Sequence, residues 1–122
     1  MAAIDDVAHD YTAMLRLGQF EAAGERYWAN GVTSVEPADL KIGIPASVSG
    51  IEAARHKARV RFGTDRIDDL GIDGPFVTGD QFALFLDMLI TDLASGMAKP
   101  FTEIAIFTVR DGRIIEERFF YD

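Results

Sequence analysis

The chain has 122 residues, 48% of them hydrophobic, and carries a formal net charge of −8 at pH 7. This length and apolar content suit one compact domain with its own core, so we expect a single domain over residues 1–122. The acidic balance argues against binding to nucleic acid or anionic membranes, because recognition of phosphates needs clustered Lys and Arg. No cysteine is present, which excludes disulfides and thiolate chemistry.

Targeting and metal-binding signals are missing from the sequence. The first residues lack a basic region followed by an apolar core, and no later apolar run approaches the roughly 18 residues that span a bilayer. We therefore expect a cytoplasmic protein. No zinc spacing, Gly-rich phosphate loop or nucleophile elbow occurs, and His9 and His56 are too far apart in pattern to form a metal pair. The sequence thus predicts no metal and no cofactor.

Two helices are predicted at the start of the chain. Apolar residues recur there at steps of three and four, as in an amphipathic helix that ends near Gly18: Ile4, Val7, Ala8, Tyr11, Met14 and Leu15. Phe20, Ala23, Gly24 and Tyr27 mark a second helix that ends near Asn30-Gly31.

A short strand, a loop and a third helix follow. Val32–Glu36 alternates like a strand, and Pro37 stops it because proline cannot donate to the ladder. Residues 38–50 read as a loop that forms a rim, a lid or a spacer. The third helix opens at Gly50-Ile51, and its predicted buried stripe is Ile51, Ala54, Ala58 and Phe62.

Five basic residues are predicted to lie on this one helix: Arg55, Lys57, Arg59, Arg61 and Arg66. A solvated helix face is the default interpretation of such a cluster. The alternative is that these side chains neutralise acidic residues on the sheet.

The last third of the chain predicts four long antiparallel strands, over residues 67–78, 81–92, 103–109 and 113–121. Asp111-Gly112 is the residue pair typical of a two-residue hairpin turn. Long strands twist and curve, and the helices are expected to cover the concave side. The order predicts an α+β fold in which a curved, mixed and mainly antiparallel sheet wraps around three N-terminal helices.

Several short segments give the chain a resemblance to the nuclear transport factor 2-like superfamily, which includes ketosteroid isomerase and the SnoaL-like polyketide cyclases. They are Tyr11, Gly18-Gln19-Phe20-Glu21-Ala22, Val35-Glu36-Pro37, Gly50-Ile51-Glu52-Ala53 and Phe107-Thr108-Val109-Arg110-Asp111-Gly112-Arg113-Ile114. The resemblance covers essentially the whole chain. It implies a cystatin-like cone with a ligand pocket at its open end and a homodimer through the outer face of the sheet.

The resemblance also suggests site residues. Glu36 precedes a proline where ketosteroid isomerase carries its proton-shuttling aspartate, and a carboxylate in an apolar cavity is a usable base near neutral pH. Tyr11 occupies the place of the isomerase's hydrogen-bonding tyrosine, which polarises a substrate carbonyl. The alternatives are an exposed strand-end acid for Glu36 and a core tyrosine bonded to the backbone for Tyr11.

The chain departs from the isomerase pattern at one position. Ala105 stands where that enzyme has its second oxyanion donor, an aspartate. Glu103 lies two residues earlier on the same face of the strand and is a possible substitute, although an exposed strand acid is the simpler interpretation.

Asp87 is an isolated acid inside the apolar run Phe82–Ile90. An unpaired buried carboxylate costs several kcal/mol, so burial of Asp87 would require a partner, a cavity or water. Arg55 or Arg59 on the third helix is the expected partner. We therefore include Asp87 with Glu36 and Tyr11 as candidate catalytic residues.

Further pocket residues are predicted among the aromatic and charged side chains: Trp28, Arg55, Phe62, Glu103 and Tyr121. Trp28 and Phe62 suit either the pocket or the core.

Together these features predict a SnoaL-like protein that binds an apolar, oxygen-bearing molecule of polyketide, terpenoid or steroid size. The predicted chemistry is cofactor-free isomerisation, cyclisation or dehydration by carboxylate proton transfer. The alternative is a non-catalytic ligand-binding or dimerisation module of the same fold.

Overall fold

The computed structural model describes residues 3–40 and 43–122. Its helices and strands follow one another in the order α1 (Ile4–Arg16), α2 (Phe20–Tyr27), β1 (Trp28–Val35), β2 (Ser47–Ser49), α3 (Ile51–Thr64), β3 (Asp65–Thr78), β4 (Gln81–Asp92), β5 (Ala98–Arg110) and β6 (Arg113–Phe120). The predicted order of helices and long strands is confirmed. Residues 41 and 42 of the predicted loop lie outside the described residues.

Several boundaries differ from the predictions, and strand β5, for example, begins at Ala98 rather than at residue 103. Helix α2 ends at Tyr27, and β1 already begins at Trp28, which pairs with Ile114 of β6. The indole of Trp28 is buried and bonded across the sheet, so tertiary contacts override the helical pattern here. The loop before α3 also contains the three-residue strand β2, which pairs with β1.

The strands form one six-stranded sheet in the order β2-β1-β6-β5-β4-β3. Strand β1 runs parallel to β6, and the other described neighbours are antiparallel. The predicted hairpin turn between β5 and β6 is confirmed, because Asp111 and Gly112 both have positive φ angles, of 53° and 74°. Register shifts along β3, after Ile67 and after Asp73, bend this strand. The result is the predicted α+β fold with a curved, mixed sheet.

Strand β4 separates the two faces of the sheet. Phe82, Leu84, Leu86 and Met88 are buried on the concave side. The residues between them point outward, so the side chains of Phe85, Asp87 and Leu89 are exposed. Helices α1 and α3 pack against β3 and β1 respectively, which places the core and any enclosed space between these helices and the concave side. None of the described helices is long and apolar enough to cross a membrane.

Candidate functional site

A cavity of about 100 Å³ lies between the helices and the concave side of the sheet. Its lining is mostly apolar and includes Leu15, Trp28, Leu86, Met88, Ile90, Phe107 and Phe119. Six polar or charged residues also line it, namely Tyr11, Lys57, Arg61, Asp65, Glu103 and Glu117. An apolar space with a few converging polar groups is the usual form of a small-molecule site.

The carboxylate of Glu36 is fully buried, but Glu36 is not among the residues that line the cavity. Its Oε2 accepts a hydrogen bond from Lys57 Nζ at 2.9 Å. Its Oε1 accepts from Arg61 Nη1 at 3.2 Å and from the Tyr121 hydroxyl at 2.7 Å. Two cations and a phenol therefore hold this carboxylate, so Glu36 has no free oxygen directed at a ligand.

Lys57 connects Glu36 to a second buried carboxylate. Its ammonium group also donates to the hydroxyl of Ser34, which in turn donates to Glu117 Oε2 at 2.6 Å. Glu117 Oε1 accepts from the indole N–H of Trp28 at 2.8 Å. The Lys57 ammonium lies 5.2 Å from the centre of the Phe119 ring, which adds a cation–π contact. We call the group Trp28, Ser34, Glu36, Lys57, Arg61, Glu117 and Tyr121 the buried polar network.

Glu103 lines the cavity and stands apart from this network. Its side chain is buried, with 7% of the residue exposed, and its Oε2 has no hydrogen-bond partner among the described residues. Burial raises the pKa of Glu103 to about 7. The positive charge of Arg61 opposes this rise, whereas the negative charges of Glu36 and Glu117 add to it.

The charges around the cavity explain why Glu103 differs from its neighbours. Within the buried polar network, Lys57 and Arg61 supply two positive charges, and Glu36 and Glu117 supply two negative ones. Ionised Glu103 would be a third, uncompensated anion in a poorly solvated place. With a pKa of about 7, Glu103 populates both its acid and its carboxylate form near neutral pH, which suits a group that accepts and returns a proton.

The phenol of Tyr11 also faces the cavity. Its ring packs between Phe82 and Phe107, at centroid distances of 6.0 and 4.9 Å. Burial raises the pKa of Tyr11 well above its usual range, and the charges of Glu117 and Glu103 raise it further. With its pKa raised, the phenol stays protonated near neutral pH and can donate a hydrogen bond to a ligand in the cavity.

Two predicted site residues lie elsewhere. Asp87 is exposed on the outer face of the sheet, so its expected place in the pocket is wrong. The sequence pattern could not tell which strand face was inward, because apolar residues occupy both faces of β4. Arg55 does not line the cavity; it joins α3 to α2 through Glu25, with Nη2 to Oε2 at 2.8 Å, and also contacts Glu52. Arg59 pairs with Glu21 rather than with Asp87.

The remaining predicted residues do lie at or beside the cavity. Trp28, Phe62 and Glu103 line it, and Tyr121 reaches it indirectly through its bond to Glu36. The predicted alternative of an exposed strand acid for Glu103 is wrong, because its carboxyl is buried.

Sequence reasoning missed Lys57, Arg61, Glu117 and Ser34 as members of the site. Lys57 is 3% exposed, although a solvated helix face was the default for its cluster. The spacing of Lys57 could have indicated that it is buried. Lys57 follows the buried Ala54 by three residues and precedes Arg61 by four, so all three lie on one helix face. The alternative, in which basic side chains neutralise acids at the sheet, holds for Lys57 and Arg61.

Residues 3–40 and 43–122 contain no cluster of three or more His, Asp or Glu side chains that could hold a metal ion.

The buried ion pair between Lys57 and Glu36 generates a stability prediction. Replacing Lys57 by Met leaves the Glu36 carboxylate without its closest cation, so the variant should lose about 3–5 kcal/mol of unfolding free energy in urea denaturation. Adding Glu36→Gln to Lys57→Met should cost less than Glu36→Gln in the wild type, with a coupling energy of about 1–3 kcal/mol.

Arg59→Met is the matched control on the same helix, because it breaks a pair whose side chains are 64% and 45% exposed. This change should cost at most about 1 kcal/mol. Equal losses for Lys57→Met and Arg59→Met would contradict a buried, unscreened ion pair.

Comparison with known proteins agrees with this architecture. The chain matches the family model of the SnoaL-like domain over residues 2–121. It is 33% identical to a Mesorhizobium loti protein of known structure, a candidate SnoaL-like polyketide cyclase. The two structures superpose with a TM-score of 0.90, over 98% of this chain and 100% of that one. No curated protein matches the chain.

Two more distant structures share the fold alone. A Xanthomonas campestris protein with a cystatin-like fold is 18% identical, with a TM-score of 0.77 over 98% of this chain and 91% of that one. TerC, co-crystallised with polyporic acid, is 22% identical, with a TM-score of 0.71 over 92% and 85% of the two chains. The chain therefore belongs to the SnoaL-like domain family, a small-molecule-binding group, and has the cystatin-like fold.

Proposed function

We propose that the protein binds a small, apolar, oxygen-bearing molecule in the cavity and moves a proton within it, with Glu103 as the acid/base and without a cofactor. The observation that carries this proposal is the buried, unpartnered Oε2 of Glu103 in the cavity wall. A protein rarely leaves such an atom unpaired, and a ligand is one way to satisfy it.

This proposal reassigns the base that the sequence suggested. Glu36 is held by Lys57, Arg61 and Tyr121, and a carboxylate engaged on both oxygens is poorly placed to take a proton from a ligand. Its role in the proposal is to keep Lys57 and Arg61 in position beside the cavity.

The proposed step begins with ionised Glu103 and a carbonyl compound. Glu103 removes a proton from the carbon next to the carbonyl, so a C–H bond breaks, an O–H bond forms on Glu103, and the electron pair moves to the carbonyl oxygen. Tyr11 donates a hydrogen bond to that oxygen as its charge grows. Glu103 then returns the proton to a different carbon, which is an isomerisation, or to a leaving hydroxyl, which is a dehydration.

The cavity volume limits the part of the ligand that enters it. About 100 Å³ is less than the roughly 300–1,000 Å³ of sites that enclose drug-sized molecules. A single ring with its oxygen suits this space. The description of the Mesorhizobium loti protein as a candidate polyketide cyclase supports a carbonyl compound as ligand, because aldol-type cyclisation starts with the same proton removal.

A ligand-binding protein without turnover is the second candidate function. It is favoured by the buried polar network, whose carboxylates Glu36 and Glu117 are already satisfied by partners within the protein. In that case Glu103 in its acid form donates a hydrogen bond to the ligand and never releases its proton.

The test uses cyclohex-3-enone, a one-ring probe whose conversion to cyclohex-2-enone moves one proton and is followed by ultraviolet absorbance. Wild type should accelerate the conversion, and kcat/KM should rise with pH up to about 7, the pKa of the base. Glu103→Gln keeps the side-chain size but cannot exchange the proton, so it should lower the rate by roughly 10²–10⁴-fold.

Asp87→Asn is the matched control, because it removes a carboxylate from the exposed outer face. It should leave the rate unchanged. If wild type binds the probe in saturation-transfer NMR but does not accelerate its conversion, the result supports the binding function. A Glu103→Gln variant as active as wild type would remove Glu103 from the mechanism.

We also propose that two copies of the chain pair through the outer face of the sheet. Phe85, Ile104 and Phe120 are aligned across β4, β5 and β6, and they are 37%, 46% and 47% exposed. A contiguous apolar row of this kind on a sheet face usually meets a partner.

Sedimentation velocity tests this pairing. Wild type should sediment as a dimer, and Ile104→Asp should sediment as a monomer because it places a charge at the centre of the row. Leu93→Asp, at an exposed leucine in the turn after β4, should remain dimeric. A monomeric wild type would contradict the proposed interface.

A further inference from the structure

A second depression lies next to the cavity, on the surface between the end of α1 and the start of β3. We call it the outer groove; it is formed by residues 16–18, 20, 21 and 65–70 together with Phe62, and its volume is about 610 Å³. Four residues line both spaces, namely Phe20, Phe62, Asp65 and Ile67. The cavity and the outer groove are therefore neighbours that share one wall.

Two aromatic rings form most of that wall. Phe20 begins α2 and Phe62 lies in the last turn of α3, and their ring centres are 5.3 Å apart with an angle of 48° between the planes. Phe62 is 43% exposed, so one side of its ring faces water while the other faces the cavity. A half-exposed side chain at the end of a helix can change rotamer at little cost, which makes this ring the movable part of the wall.

The outer groove has an apolar floor and an acidic rim. Leu17, Ile67 and Leu70 supply the floor beside the two phenylalanines. On the rim, Arg66 is paired with Asp68 and Arg16 donates to the backbone oxygen of Gly74. Arg59 pairs with Glu21, so the net negative charge of the lining comes from Asp65 and Asp69. Such a rim disfavours an anionic group and accepts a neutral apolar one.

We propose that the outer groove is a second subsite for the same ligand and that the Phe20–Phe62 pair controls passage between the two spaces. This inference rests on ligand binding in the cavity, as set out in the proposed function. The ligand class is then an elongated, neutral molecule with an oxygen-bearing ring at one end and an apolar aryl or alkyl extension. The ring occupies the cavity near Glu103, and the extension passes Phe62 and lies on Leu17 and Leu70. A molecule several times larger than the cavity can thus be bound without enlarging the core.

Trp28 provides a test of the wall that needs no ligand. It is the only tryptophan in the sequence, and it lines the cavity but not the outer groove. Acrylamide, a small neutral quencher, should reach Trp28 poorly in wild type. Phe62→Ala should open the wall and raise the Stern–Volmer quenching constant about threefold or more, because access then no longer waits for a ring rotation.

Leu17→Ala is the matched control for quenching. Leu17 is 74% exposed and contributes to the outer groove only, so its removal should leave the quenching constant unchanged. Since Phe62 is partly exposed, Phe62→Ala should fold, and circular dichroism with thermal melting verifies this. A quenching constant equal to that of wild type in folded Phe62→Ala would overturn the role of the Phe20–Phe62 pair.

Two probes of different length test the subsite. Calorimetry should give 4-phenylphenol an affinity about tenfold higher than that of phenol, because the second ring buries apolar surface in the outer groove. Leu17→Ala should reduce this ratio, and Leu93→Ala should not. A negative charge on the distal ring, in 4′-hydroxybiphenyl-4-carboxylate, should weaken binding several-fold relative to 4-phenylphenol.

Equal affinities for phenol and 4-phenylphenol, unaffected by Leu17→Ala, would overturn the second subsite. This failure is distinguishable from failure of the proposed function. If 4-phenylphenol and phenol bind equally well but turnover still depends on Glu103, only the second subsite is ruled out. If 4-phenylphenol binds more tightly than phenol but Glu103→Gln does not change the conversion rate, only the catalytic role of Glu103 is ruled out.

Discussion

The buried ion pair between Lys57 and Glu36 is the interaction on which the arrangement of the site depends. Helix α3 presents Lys57 to the end of β1, and the 2.9 Å contact with Glu36 joins the helix to the sheet. A buried charge is tolerated only when it is paired and hydrogen-bonded, and here Ser34, Arg61 and Tyr121 complete the coordination. The position of α3 over the concave side, and so the height of the cavity, follows from this requirement.

The same pairing determines which carboxyl group is left over. Lys57 and Arg61 both pair with Glu36, and their two positive charges balance the negative charges of Glu36 and Glu117. Glu103 has no paired cation among the described residues. Its Oε2 has no partner within the described residues, and burial moves its pKa into the neutral range. The paired carboxylates therefore stabilise the structure, whereas the carboxyl group of Glu103 is available to a ligand.

The sequence predicted those parts of the fold that depend on local physics. The Asp111-Gly112 turn follows from the backbone preferences of two residues, and α1 follows from the spacing of its apolar side chains. The start of β1 at Trp28 could not be predicted, because it depends on a partner in β6 that lies 89 positions away in the chain. Pairing across such a distance is a property of the assembled sheet rather than of the local pattern.

The site was predicted less completely than the fold, for a related reason. Trp28, Glu103 and Tyr11 were recognised from residue type and from the family resemblance, and all three line the cavity. Asp87 was misplaced because both faces of β4 are apolar, so alternation did not identify the inward face. Lys57 was taken for a surface residue because lysine is rarely buried, and only its contact with Glu36 explains its position.

The structure predicts that Glu103 is a buried carboxyl that ionises near neutral pH inside the cavity. NMR titration of the protein with ¹³C-labelled glutamate side chains tests it directly, with the Glu103 signal assigned by its loss in Glu103→Gln. We expect a midpoint of about 7 for that signal. A midpoint at or below 4.5, the ordinary value for a glutamate carboxyl, would contradict it.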